Sequence, residues 1–549
     1  MAKKYLNKNS IETTGNTPKK ICFILLIIAV LVFITLAGCT RDKSSEVEGN
    51  GTSSASGGAV TSSGATGLSS HYSNVYVVFV YSFYDSDGDG VGDLQGVIQN
   101  LDYIANPETG LGANAIWMLP IHPATSYHMY DVTDYKGINP LYGTLDDFDQ
   151  LVEAANERGI SIIMDLVVNH TSLQHPWFLS ALQEIREGLD KHYYHYYNFA
   201  TENLPNYHPT IDGHYYEGVF WSGMPDLNFD SPEVKREVEE IVDFWLDRGV
   251  LGFRLDAAKH IYNTNPQNHE FWKWFTDMVY AKNPDTFLVA EVWEPETVVL
   301  PYYETGLTSL FNFRFEGSDG VISQAIRTSW ASDFNNQVVR FSTLIHGLNP
   351  NAMDSIFLSN HDTNRSSSWL TTEETRKLAA AMYLMIPGVS YIYYGEELSM
   401  TGSGRDENKR APMIWSISDQ TGQTRGPAGM DQIPQLSEGV AEALERPGSL
   451  LNYYRQILGI KKRHPEIAMG MPTAIRSDGR SLAIYEVAHN GSRVIVAHNL
   501  SSEAIEIVVD LGDNVSIAER LNPSDADGGG FNWDGTTLAM PGYGTAVLR

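Results

Sequence analysis

The apolar residues of this chain fall into two rhythms. Unbroken β-rich runs occur at 75–80, 115–119, 160–164, 287–290, 355–358 and 389–394. Such runs predict strands covered on both faces, as in parallel sheets. Between them apolar positions recur every three or four residues. Thr144, with Asp147 three positions on, predicts a helix start. Phe148, Leu151, Val152 and Ala155 then share one face, and Gly159 ends it. Ser231-Pro232-Glu233 predicts another start, with Val234, Val238, Ile241, Val242 and Trp245 as the stripe and Gly249 as the stop. Strand–helix units repeated over several hundred residues predict an α/β barrel or a doubly wound sheet. No G-x-G-x-x-G follows the first strand, which disfavours the dinucleotide-binding form of the latter.

Two stretches break the alternation. Residues 170–230 are rich in aromatics, among them Trp177, Tyr193, Tyr194, Tyr196, Tyr197, Tyr215, Tyr216 and Trp221. They predict a subdomain inserted in a βα loop. From 465 to 549 the pattern turns to short strands such as 481–487 and 493–498, predicting a separate all-β domain.

The N-terminus has a rhythm of its own. Lys19-Lys20 precede the apolar run 21–37, which ends in small residues, the order of a signal peptide. The run is near the lower limit for a membrane span, so a retained anchor helix is the alternative. Leu36-Ala37-Gly38-Cys39 resembles a bacterial lipobox, in which cleavage leaves the cysteine as a lipidated N-terminus. Residues 1–38 are therefore expected to be removed and Cys39 to carry lipid. Residues 39–70, mostly Ser, Gly, Thr and Ala, are expected to be a flexible linker spanning about 30 Å. The catalytic-size unit is expected at 71–464. The expected location is outside the cytoplasm, held to the cell membrane by the lipid alone.

Charge narrows the partners. Of 549 residues, 38 are Lys or Arg and 67 are Asp or Glu, a formal net charge of -29. A nucleic-acid binder needs a basic face, so that class is excluded, and docking on an anionic membrane surface is disfavoured. With 42% hydrophobic residues the chain can bury a large core. Its two cysteines, Cys22 and Cys39, precede the folded part, which can contain neither an intrachain disulfide nor a thiolate metal site. The oligomeric state cannot be read from the sequence.

Several apolar strands run straight into polar groups. These are Asp165 to His170, Gly252 to His260, Glu291-Val292-Trp293-Glu294, and Phe357 to Asp362. In a βα barrel, chemistry is built at the C-terminal ends of strands. The four clusters, in this order, resemble the signature regions of the α-amylase family, glycoside hydrolase family 13. Met224-Pro225-Asp226-Leu227-Asn228 resembles the fifth region. The resemblance covers about 71–549. It implies a (β/α)8 TIM barrel with an inserted subdomain B after strand 3 and a C-terminal β-sandwich.

The resemblance also implies site residues. Asp256 matches the nucleophile, Glu291 the general acid/base and Asp362 the third carboxylate. Arg254, two residues before Asp256 on a strand, shares its face and can hold it ionised. His170 and His361 match hydroxyl-binding histidines, Tyr130 the aromatic platform under the sugar, and Asp406 and Arg410 a further sugar-binding pair. Lys259 and His260 match residues on the leaving-group side. The implied partner is an α-glucan polysaccharide or maltooligosaccharide, and the implied reaction is retaining, α-amylase-type cleavage of α-1,4 bonds.

The segment 85–93 places acidic oxygens at alternate positions among glycines, as a hard Ca²⁺ site needs. It is not a full EF-hand, because its twelfth position is Gly96 where a bidentate Glu is required. The family implies Ca²⁺ on Asp85, Asp87, Asp89, the Val91 carbonyl and Asp93. A second Ca²⁺ is implied at Asn169, Asp226 and the His260 carbonyl. The fifth region lies between the oligo-1,6-glucosidase and neopullulanase types, so linkage preference and the balance of hydrolysis to glucanotransfer stay open. A surface starch-binding lipoprotein without catalysis is the rival class; three intact carboxylates argue against it.

Overall fold

The computed structural model describes residues 73–188, 192–524 and 528–549. The expected signal peptide, Cys39 and the linker lie outside them. Among the described residues no helix is long and apolar enough to cross a membrane.

Eight parallel strands close a barrel. In chain order they are β1 (Asn74–Val78), β2 (Ala115–Met118) and β3 (Ser161–Leu166); then, after the three short strands β4 (Phe199–Ala200), β5 (Tyr207–Pro209) and β6 (Tyr215–Glu217), β7 (Gly252–Leu255), β8 (Phe287–Ala290), β9 (Ser309–Phe311), β10 (Met353–Phe357) and β11 (Val389–Tyr393). β11 pairs with β1 to complete the ring. The hole is filled by side chains: Trp117, Phe311 and Tyr391 meet edge-on or tilted with ring centroids 4.8–6.1 Å apart.

The helices form where their starts and stripes require. Thr144 and Asp147 make a reciprocal capping box for Leu145–Glu157, which buries Phe148, Leu151, Val152 and Ala155. Pro232–Leu246 begins with proline at its first position and buries the expected stripe. Ser231, however, spends its hydroxyl on the Glu233 carboxylate at 3.2 Å and caps no backbone amide. Gly159 and Gly249 leave the helices at φ of +68° and +89°, a region costly for side chains with a Cβ.

The insert after β3 holds the helix Pro176–Arg186 and the antiparallel sheet β4-β6-β5. Its aromatics largely pack on one another: Phe178 meets Tyr197 at 5.0 Å and Tyr216 at 5.1 Å, and Trp177 meets Tyr196 at 5.3 Å.

The C-terminal strands are β12 (Met471–Ala474), β13 (Leu482–His489), β14 (Ser492–Asn499), β15 (Ile505–Val508), β16 (Ile517–Leu521), β17 (Asn532–Trp533), β18 (Thr537–Met540) and β19 (Thr545–Leu548). They form the sheets β12-β13-β14-β19-β16 and β15-β18-β17. Alternation along β13 divides its side chains. Leu482 and Ile484 enter a core with Leu538 and Met540 of the second sheet. Ala483, Tyr485 and Val487 join the barrel's core. The Tyr485 hydroxyl donates to the Met385 carbonyl at 3.0 Å, so the β unit is docked through a polar contact as well as packing.

Candidate active site

Register brings the charged groups together. Asp165 on β3 lies opposite Arg254 on β7, and Leu255 lies opposite Ala290 on β8. The next residues, Asp256 and Glu291, therefore leave the barrel side by side. Arg254 is buried beneath them and bridges three carboxylates. Its Nη1 meets Asp165 at 2.8 Å and also Asp256, while Nη2 meets Glu291 at 2.8 Å. The guanidinium lies over the Trp117 ring at 5.3 Å, which holds the fork in place. The Ala257 amide donates to Glu291 at 3.1 Å, from a backbone at φ +45° that alanine adopts only under constraint. The Trp272 indole, donating to the Ala258 carbonyl at 2.6 Å, supplies part of that constraint.

Asp362 approaches from the loop after β10. His361 Nε2 meets its Oδ2 at 3.1 Å and Arg410 meets its Oδ1 at 3.3 Å. Asn360 accepts the Asp362 and Thr363 amides at 2.9 and 3.1 Å, which shapes the turn. The loop after β2 supplies Tyr130, whose hydroxyl donates to Asp165 at 3.0 Å and meets His361 Nε2 at 2.7 Å. The Tyr130 and His361 rings are stacked at 5.6 Å. Glu291 and Asp362 keep 13% and 29% of their side-chain surface, so the cluster opens to solvent on that side.

The environments separate the carboxylates. Burial raises Glu291 above its ordinary value; Arg254 opposes this, and the charges of Asp256 and Asp362 add to it. Burial also raises Asp256, again against Arg254, with only Asp362 adding repulsion. For Asp362 burial is outweighed by the His361 contact and by Arg410 and Arg254, which hold it well below the carboxylate range. Burial raises Asp165 to about 7 against the pull of Arg254. Burial also lowers His170 and His260 to about 4, leaving both imidazoles neutral at pH 7.

Comparison with known proteins adds the family. The family described as "Alpha amylase, catalytic domain" matches residues 77–470. The chain belongs to the alpha-amylase family, glycoside hydrolase family 13. It is 41% identical over 440 residues to "Alpha-amylase 3" of Dictyoglomus thermophilum, spanning 78% of this chain and 84% of that protein. It is 31% identical over 444 residues to a "4-alpha-glucanotransferase" of Thermotoga neapolitana, spanning 78% and 95%. Among solved structures, Eubacterium rectale Amy13B superposes with a TM-score of 0.82 at 36% identity, covering 88% of this chain and 97% of that one. The barrel and the C-terminal β sheets are thus those of an alpha-amylase-family glycoside hydrolase.

The remaining expected residues of this alpha-amylase-family site sort by placement. His170 is buried, with Nε2 at 3.1 Å from the Tyr130 carbonyl and Nδ1 at 3.1 Å from Asn169 Oδ1. Lys259 is ion-paired to Glu294, and Phe220 lies against both the His260 ring, at 5.2 Å, and the His170 ring, at 5.4 Å. Asp406 and Arg410 do not pair through their side chains. Arg410 reaches Asp362, and the Asp406 carboxylate meets Lys409 at 3.2 Å. Lys409 also donates to the Asp362 carbonyl at 2.7 Å, tying the two loops together. Asp165, Lys409, Glu294 and the Ala257 amide were not foreseen as site groups. Asp165 and Glu294 had a signal, since each belongs to one of the polar clusters at strand ends; Lys409 and the Ala257 amide become visible only with the loops folded.

The acidic loop after β1 brings Asp85, Asp87 and Asp89 together, their nearest oxygens all within 4.8 Å of one another. None of the three is salt-bridged among the described residues. Hard carboxylate oxygens massed in this way fit Ca²⁺, which would clamp the loop. Asp93 is not in the cluster. It caps the helix Leu94–Gln99, with Oδ1 accepting from the Gly96 amide at 2.7 Å and the Ser86 hydroxyl at 2.8 Å, and Oδ2 from the Ser86 amide at 2.8 Å. Position 96 is glycine because a Cβ there would lie 2.2 Å from the Tyr84 carbonyl oxygen. The second implied cation site is not assembled from three oxygens. Asn169 turns its amide nitrogen to the His260 carbonyl, while the buried Asp226 Oδ1 has no hydrogen-bond partner. Burial raises Asp226 to about 8.

Proposed function

We propose that the protein is a retaining α-glucan hydrolase that cleaves internal α-1,4-glucosidic bonds of starch and maltooligosaccharides. The observation that carries this reading is the pair Asp256 and Glu291, side by side on neighbouring strands and joined through one buried guanidinium. Asp256 attacks the anomeric carbon. Glu291, whose proton burial favours, gives it to the leaving oxygen and then takes one from the incoming water. Asp362, kept ionised by the His361 contact and by Arg410, holds ring hydroxyls, and His170 and His361 are further hydroxyl contacts. Two inversions give net retention. Proton NMR of the first products, taken before mutarotation, is expected to show the α-anomer; initial β-anomer would overturn the nucleophile assignment.

Transfer to a sugar acceptor is the second reading, favoured by the relative named as a 4-alpha-glucanotransferase. Disproportionation of maltotriose without release of new reducing ends would favour it over hydrolysis. Action on α-1,6 bonds is the third, since the Met-Pro-Asp-Leu-Asn segment at 224–228 lies between two subgroup patterns. A panel of starch, maltotriose, pullulan and isomaltose separates it. The enzyme is proposed to work outside the cytoplasm, with Cys39 lipidated, 39–70 as the tether and the loop of Asp85, Asp87 and Asp89 holding a structural Ca²⁺.

A further inference from the structure

Trp330 is the most exposed tryptophan among the described residues, at 57%, yet it is not on a loose loop. It sits between the helices Val321–Thr328 and Ala331–Leu348 on the barrel's outer layer, beside the C-terminal β unit. Ser329 before it is left-handed at φ +49°, and its hydroxyl donates to the Leu500 carbonyl at 3.0 Å. The Trp330 amide donates to the Ala325 carbonyl at 3.2 Å, and the Ala331 amide to the Arg480 carbonyl at 2.9 Å. The Arg480 guanidinium lies 5.2 Å from the indole centroid. The backbone that carries the ring is thus held by neighbours on both sides in sequence, with more than half of the residue's surface left bare.

It walls a hollow of about 270 Å³ floored by the buried Val321 and Ala325 and rimmed by Gln324, Thr328, Ser332, Asp333 and Asn336. The side-chain amides of Gln324 and Asn336 have no hydrogen-bond partner among the described residues, so their donors and acceptors are available to a ligand. An exposed aromatic plane on a held backbone, beside free amides and hydroxyls, is the chemistry that recognises a sugar ring. The indole covers the ring's C–H face while planar polar groups reach its hydroxyls. A protein partner would call for a continuous exposed apolar patch, which one exposed tryptophan above a buried valine and alanine does not make. The net charge of -29 disfavours a polyanion.

We infer that the Trp330 hollow is a second, non-catalytic binding site for α-glucan chains, holding a short stretch of polymer while the barrel's mouth acts on another. The inference rests on the α-glucan reading of the active site. Its test is native electrophoresis of the full chain through gels containing soluble starch, alongside turnover of maltotriose. Trp330→Ala is expected to weaken starch retention at least threefold and leave maltotriose turnover unchanged, while Trp330→Phe keeps most of the retention. If Trp330→Ala does not fold, the double variant Gln324→Ala with Asn336→Ala is expected to show the same selective loss. Wild-type retention by the folded Trp330→Ala, or by the double variant in its place, with normal turnover, would overturn this site and leave the proposed function standing. Absence of any maltotriose or starch turnover in the wild type would overturn the proposed function, and this inference with it.

Discussion

Arg254→Met tests the electrostatic core of the site. The replacement keeps much of the side chain's volume and removes the charge that Asp165, Asp256 and Glu291 share. Stripping one partner from a buried ion pair costs about 3–5 kcal/mol. The pH dependence carries the sharper signature. Asp165, Asp256 and Glu291 are already raised by burial, with Arg254 holding each down. Without it they rise further, above an unfolded value of about 4. A carboxyl raised in the folded state keeps its proton there and releases it on unfolding. Stability is therefore lost as pH climbs from the unfolded toward the folded value, by about 1.4 kcal/mol for each unit of separation. Each carboxyl's deficit relative to wild type should open only above its wild-type value, so the Asp165 part appears above about pH 7 and grows with pH, read by urea unfolding on both sides of that pH. Turnover should fall about tenfold for each unit by which Asp256 rises above the assay pH. A deficit below about 1 kcal/mol, the range of exposed pairs, or one independent of pH, would refute the bridging role.

Glu291→Gln should lower turnover of natural glucans by about 10²–10⁴ and spare the first step for aryl glycosides whose leaving group needs no proton; equal losses on both would refute the acid role. Removal of Ca²⁺ by chelation should lower the melting temperature, by the equivalent of about 2.7 kcal/mol if the ion stood at 100-fold over its dissociation constant; an unchanged melting point after verified removal would count against the site. Cys39→Ser should abolish fatty-acid incorporation and leave an unprocessed precursor, and labelling equal to wild type would refute the lipobox.

The fold was legible where burial on two faces leaves a continuous apolar run. β1, β2, β3, β8, β10 and β11 all coincide with such runs, give or take one or two residues at the ends. β7 was signalled only by its polar exit, since Arg254 interrupts its apolar run. β9 was missed because it is only Ser309, Leu310 and Phe311, and its serine hydroxyl bonds inside the barrel to the Met353 carbonyl at 2.7 Å. Three residues give no period to read. Ser231 looked like a side-chain cap, but whether a serine bonds an amide or a nearby carboxylate depends on rotamer, which sequence does not carry.

The site shows the same division more sharply. Which residues are carboxylates, and that they leave strand ends, was written in the chain. Which one keeps its proton was not, because that depends on how many charges of each sign face it. Arg254 is common to Asp256, Glu291 and Asp362, so it cannot by itself separate them. The separation comes from what each meets beyond it. Asp362 gains Arg410, on a loop 48 residues away, and the His361 contact; Glu291 faces the repulsion of two neighbouring carboxylates, with His361 a smaller pull the other way. Arg410 was expected to bind sugar beside Asp406, yet it spends its fork on Asp362 and on the Asp406 backbone carbonyl. The acid and the ionised stabiliser are thus assigned by contacts between loops that follow different strands, and environments that push paired carboxyls apart are what let one site run acid and base chemistry at one pH.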